Sequence, residues 1–131
     1  MSANPVARWH QILESRDPRG LSALLAEAVV FHSPVMHTPQ VGRALTSRYL
    51  TAAFRVFVND SFRYIREVVG PCDAVLEFQV EIDGIEVNGV DMLRWDEAGR
   101  IVEVKVMLRP LKAIDLIHGK MAALLQAGRT T

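Results

Sequence analysis

Asp83-Gly84 lies between two runs, 73–82 and 85–95, in which apolar and polar residues alternate. That pair is a strong hairpin signal, because a type I′ turn needs positive φ at both central residues. The turn sets a register in which Ile82 faces Ile85, Val80 faces Val87, Phe78 faces Gly89 and Leu76 faces Asp91. Side chains alternate between sheet faces, so Leu76, Phe78, Val80 and Ile82 mark the core side, while Glu77, Gln79 and Glu81 face out. The partner strand then turns Val87, Gly89, Asp91, Leu93 and Trp95 inward. A further run, 100–109, carries Val102, Val104, Val106 and Leu108 on one face, and a four-residue loop from Asp96 to Gly99 sets Val104 opposite Asp91. Asp91 is therefore expected among Leu76, Phe78, Val104 and Val106.

An isolated ionised carboxylate in such surroundings is expensive, so either its pKa rises or a polar group meets it. Read functionally, Asp91 is a pocket acid, held protonated as a hydrogen-bond donor or poised as a base. Read structurally, it is a core Asp satisfied by an indole N–H, a hydroxyl or water. The register alone leaves both open.

The rest of the chain supplies helices. Val6, Trp9, Ile12 and Leu13 recur at helical spacing over 5–16. Asp17-Pro18 reads as an N-cap followed by proline at the first helical position. The helix it opens is expected to run to about Glu27 on a stripe of Leu21, Leu24, Leu25 and Ala28. Val29–His32 reads as a short strand stopped by Pro34, residues 34–42 as a loop, and Leu45, Tyr49, Ala53 and Phe57 as a helix from Arg43 to near Asn59. Strand-like runs 61–69, 73–82, 85–95 and 100–109 follow, and a C-terminal amphipathic helix spans about 111–127. Helices first and an antiparallel meander afterwards make an α+β fold, and 131 residues suit one domain spanning 1–131.

Composition narrows the function classes. Fifteen basic and fifteen acidic residues cancel, which removes the electrostatic footprint of a nucleic-acid binder. No apolar run approaches the roughly 20 residues of a membrane span, and the N-terminus lacks the apolar core of a signal peptide. The expected setting is cytoplasmic. Cys72 is the sole cysteine, and His10, His32, His37 and His118 show no metal-ligand spacing, so neither a disulfide framework nor a metal site is expected.

Several stretches resemble a known group. A short strand ending in FHSP, a helix opening at VGRAL, and the paired strands of GVDMLRWDEAGRIVEVKVMLRP resemble the NTF2-like superfamily, in particular its SnoaL-like domains, over about residues 5–110. The resemblance implies a cone: a curved antiparallel sheet wrapped against N-terminal helices, with a mostly apolar pocket in its mouth and homodimers among many members. Ketosteroid isomerases of this group use a protonated Asp in an apolar site as an oxyanion donor. That position matches Asp91. Their base, an Asp before a proline on the first strand, is replaced here by Ser33 before Pro34, and their first-helix Tyr by Trp9. Polyketide cyclases of the group use a pocket Asp as acid/base, a role open to Asp91 with His32 or His37.

The resulting expectation is a cofactor-independent pocket protein for a small apolar ligand, working by isomerase, cyclase or dehydratase chemistry near a carbonyl. Its alternative is a non-catalytic binding or dimerisation module. Asp91 and His32 are the candidate catalytic residues. Trp9, Ser33, Met36, Leu50, Phe54, Phe78, Val106 and Leu108 are the candidate pocket walls. Val90, Met92, Arg94, Glu103, Lys105, Met107 and Arg109 form a mixed outer sheet face suited to a homodimer interface.

Overall fold

A computed structural model describes residues 4–129. Helix α1 (Val6–Ser15) stops where Arg16 turns left-handed at φ 57° and its N–H bonds the Leu13 carbonyl. Asp17 then caps a 3₁₀ turn, Pro18–Gly20, by accepting the Arg19 N–H at 3.1 Å. Only one helical turn follows, α2 (Leu21–Leu24), before the chain extends into β1 (Leu25–His32). The expected helix to Glu27 is thus cut short. Its stripe was misleading for a physical reason. Leu21, Leu24 and Leu25 are buried as that stripe requires, but Ala28 is exposed, because from Leu25 onward pairing with a later strand, Leu25 against Ile101, overrides the helical spacing.

A two-residue strand, β2 (Gln40–Val41), precedes α3 (Arg43–Phe57). Strands β3 (Arg63–Val69), β4 (Asp73–Ile82), β5 (Ile85–Trp95) and β6 (Ile101–Arg109) then form the meander, and α4 (Leu111–Arg129) closes the described chain. The strands make one curved, open six-stranded sheet in the order β2-β1-β6-β5-β4-β3. Four pairings are antiparallel; β1 lies parallel to β6, because the whole meander separates them. No helix among the described residues is long and apolar enough to cross a membrane.

The β4–β5 hairpin has the register its turn dictates, from Ile82↔Ile85 to Leu76↔Asp91, with Asp83 and Gly84 at φ 52° and 78°. The β5–β6 register differs from expectation. Asp91 faces Val106, and Val104 faces Leu93. Two one-residue slips produce this. The Asp96 carboxylate accepts the N–H groups of Ala98 and Arg100, holding a wider turn that pairs Trp95 with Ile101. A bulge then sets Glu103 opposite Arg94. The slips sum to two, so from Val104 onward the inward face of β6 is the expected one although every partner changes; before the bulge, Ile101 takes the inward place expected of Val102.

Buried side chains gather in two clusters. One holds Trp9, Leu24, Leu76, Leu93, Trp95 and Val104; the other holds Phe57, Phe78, Val80, Val87, Ala113 and Ile117. Gly89 sits inward between strands because no side chain fits. A Cβ there would lie 2.5 Å from Phe78 Cζ, 2.7 Å from Leu108 Cδ2 and 2.9 Å from the Met107 carbonyl oxygen. Gly89→Ala is expected to lower unfolding free energy by about 1–3 kcal/mol in urea melts, since the backbone oxygen cannot yield as a side chain does. An unchanged melt would mean that the β5–β6 spacing is looser than described.

Candidate active site

Asp91 projects from β5 into the core with only 9% of its surface exposed. Across β4 it faces Leu76, and across β6 it faces Val106. One polar neighbour meets it. The Tyr64 hydroxyl donates to Asp91 Oδ2 at 2.7 Å, and that hydroxyl in turn accepts the Trp9 indole N–H at 2.9 Å. The chain Trp9–Tyr64–Asp91 ties α1 to β3 and β5.

Tyr64 arrives there by pairing with Phe78, which turns it to the inner face of β3. Its ring sits edge-on to Phe62, Phe78 and His10 and packs against both core clusters. The residue-by-residue pattern of β3 hides it, because most of that strand is exposed and the register shifts between Tyr64 and Arg66. Only the pairing with Phe78, set by the fold, reveals it.

Burial pushes the Asp91 carboxyl up from 3.8 to about 6, with the Tyr64 hydrogen bond pulling the other way. Tyr64 is pushed well above 10, chiefly by burial and then by the Asp91 charge and hydrogen bond. The phenol therefore stays neutral near pH 7. It can hold a carboxylate but does not compete with it for protons.

A narrow cavity of about 70 Å³ opens beside this chain. Trp9, Ser33, Leu50, Phe54, Phe78 and Val106, all expected as walls, line it together with Asp91. Phe31, Tyr64, Ile117 and Met121 also line it. Met36 and Leu108 stand elsewhere. Met36 is 39% exposed in an adjoining groove, and Leu108 packs into the cluster around Phe78 and Val87.

Strand alternation separates His32 from this group. Phe31 and Ser33 line the cavity, whereas His32 places Nε2 3.3 Å from Glu103 Oε2, which also lies 3.7 Å from Arg94 Nη2. His32 does not reach Asp91, so it has no part in the chemistry argued below. Ser33 Oγ accepts the Val35 N–H at 3.2 Å, shaping the turn after β1.

Comparisons with known proteins show the family and the fold. A family model for the SnoaL-like domain matches residues 6–104. A steroid delta-isomerase from Pseudomonas aeruginosa superposes with TM-score 0.91 at 34% identity, covering 96% of this chain and 92% of its own. An uncharacterised bacterial protein with a cystatin-like fold from Silicibacter pomeroyi gives 0.83 at 31%, covering 90% and 82%. An NTF2-like protein of unknown function from Mesorhizobium loti, at 23% identity and TM-score 0.69, covers 80% and 88% and shares the fold. No curated protein matches. The chain belongs to the SnoaL-like domain family, within the NTF2-like fold.

A carboxyl with a raised pKa makes stability depend on pH in a definite direction. The folded state binds the Asp91 proton more tightly than the unfolded chain, so its contribution is fully present below pH 3.8 and is lost as pH rises through about 6. Asp91→Asn removes that loss. Its unfolding free energy relative to wild type is expected to rise by about 2–3 kcal/mol between pH 4 and pH 8 in denaturant melts. A difference that is flat with pH would place Asp91 in contact with water.

Proposed function

We propose that this protein binds a small, largely apolar molecule through a carbonyl or hydroxyl oxygen and moves a proton beside it, with Asp91 as the acid/base. The carrying observation is the single carboxyl of the cavity wall, buried among apolar side chains and oriented by Tyr64. Tyr64 occupies Oδ2, so we assign Oδ1 to the ligand. Ionised, Oδ1 takes a proton from the carbon next to a carbonyl. The electron pair then shifts along the conjugated system, and the same proton returns at another carbon, leaving carboxylate and atom count unchanged. Protonated, it donates a hydrogen bond to the oxygen. A pKa of about 6 keeps both forms within reach near neutrality. Isomerase, cyclase and dehydratase steps all begin with this proton abstraction. In the first the proton returns to another carbon, in the second the carbanion attacks a carbonyl whose oxygen takes the proton, and in the third a hydroxyl leaves with the proton as water. The likeness to a steroid delta-isomerase supports the first.

Ser33 favours a second reading, a ligand-binding module without turnover. It stands before Pro34 on the cavity wall with its Oγ accepting the Val35 N–H, and a hydroxyl by itself is not a base. Asp91 would then only orient the ligand. A β,γ-unsaturated cyclic ketone separates the two readings, because its conversion to the conjugated isomer is followed by absorbance. We expect turnover that rises with pH through about 6, and a loss of roughly 10²–10⁴-fold in Asp91→Asn at nearly unchanged affinity. Ketone binding with no turnover, weakened by the same substitution, would establish the binding module instead.

The outer sheet face supports a homodimer. Val68, Val75 and Met107 are exposed there beside the ion pairs Arg66–Glu77 and Arg94–Glu103. Sedimentation should give a dimer that Val75→Arg converts to monomer; a wild-type monomer at 100 μM would overturn the interface.

A further inference from the structure

Two surface grooves share walls with the Asp91 cavity. The first runs between α1 and β3 and shares Leu13, Val58, Phe62 and Tyr64. The second runs between α4 and the turn after β1, with a volume of about 490 Å³, and shares Ser33, Val35 and Met121. The cavity between them, about 70 Å³, is half the roughly 150 Å³ that accommodates a benzene ring. A ring-sized ligand held wholly inside the cavity must therefore displace one of these walls.

The walls differ in what displacement costs. Tyr64 is bonded to both Asp91 and Trp9, and Phe62 is stacked on Phe78 and edge-on to Tyr64. Moving that side breaks two buried hydrogen bonds and separates an aromatic cluster. Met121 is half-buried on α4, one turn beyond the buried Ile117. Its side chain has three rotatable bonds and only a thioether, so it changes rotamer at little cost.

We propose that Met121 is the gate of the pocket, and that the ligand's apolar body extends past it into the α4 groove beside Tyr49, His118 and Leu125. The inference rests on Asp91 as the anchor for the ligand's oxygen. The α4 groove becomes part of the binding site, and residue 121 sets the length that it accepts.

The test uses 4-alkylphenols from methyl to hexyl, each beside its alkylbenzene, with methyl-¹³C methionine in the protein. In wild type we expect affinity to climb about fourfold per methylene as the chain grows along the groove. The Met121 methyl resonance, assigned by its absence in Met121→Ala, should shift on binding. Met121→Trp should flatten the series, leaving 4-hexylphenol no tighter than 4-methylphenol. Met121→Ala, which does not depend on the larger variant folding, should speed association of 4-hexylphenol at least threefold. A series that climbs equally in wild type and both variants, with the Met121 resonance unmoved, overturns the gate. Phenols and alkylbenzenes binding alike would sink the Asp91 anchor while the chain-length data still support the gate. No binding by any member overturns both.

Discussion

The hydrogen-bonded chain from Trp9 through Tyr64 to Asp91 is the interaction on which the rest of this structure depends. A carboxyl turned into the apolar side of a sheet is tolerated only when it is protonated or has a donor. Here one phenol supplies the donor, and one indole fixes the phenol by occupying its acceptor side. The three residues come from a helix, an edge strand and a central strand, so satisfying one acid also sets how α1 and β3 close over β5. Packing and polarity are coupled at this point.

The cavity follows from the same arrangement. The two core clusters do not merge completely, and Tyr64 packs against both. On one side of it the space is bounded by aromatic rings held by contacts with each other; on the other it ends at α4 and Met121. Helix α4 is fixed near its start by buried Ala113 and Ile117, and further along by Lys120 on Asp83 and by Arg48 on the Leu125 carbonyl. Of the two α4 residues on the cavity wall, Ile117 is buried and Met121, one turn on, is half-buried. This fold thus places the half-buried Met121 away from the hydrogen bonds that hold Asp91.

Much of this was legible in the sequence. Asp83-Gly84 required positive φ at two residues, and that requirement alone carried the register to Leu76↔Asp91. Alternation in β4 named the inner face, and FHSP with GVDMLRW pointed to the family. What was missed lies where local periodicity is broken by a bulge or set by a distant partner. The stripe Leu21, Leu24, Leu25 and Ala28 runs across the join of α2 and β1, where strand pairing takes over from helical spacing, and the Asp96 side chain widens a turn that length alone makes tighter. Tyr64 was overlooked because β3 is an edge strand with little alternation and no sharp turn to fix its parity. His32 and Ser33 differ by one residue and so by one sheet face, and only the parallel pairing of β1 with β6 decides between them.

The central claim is that Asp91 is a dry acid held by Tyr64. A carboxyl-carbon NMR titration, with the resonance assigned by its absence in Asp91→Asn, tests it directly. The account predicts a midpoint near pH 6, moving higher in Tyr64→Phe as the carboxylate loses its donor. A midpoint at or below the ordinary value of about 3.9, unmoved by Tyr64→Phe, would contradict it.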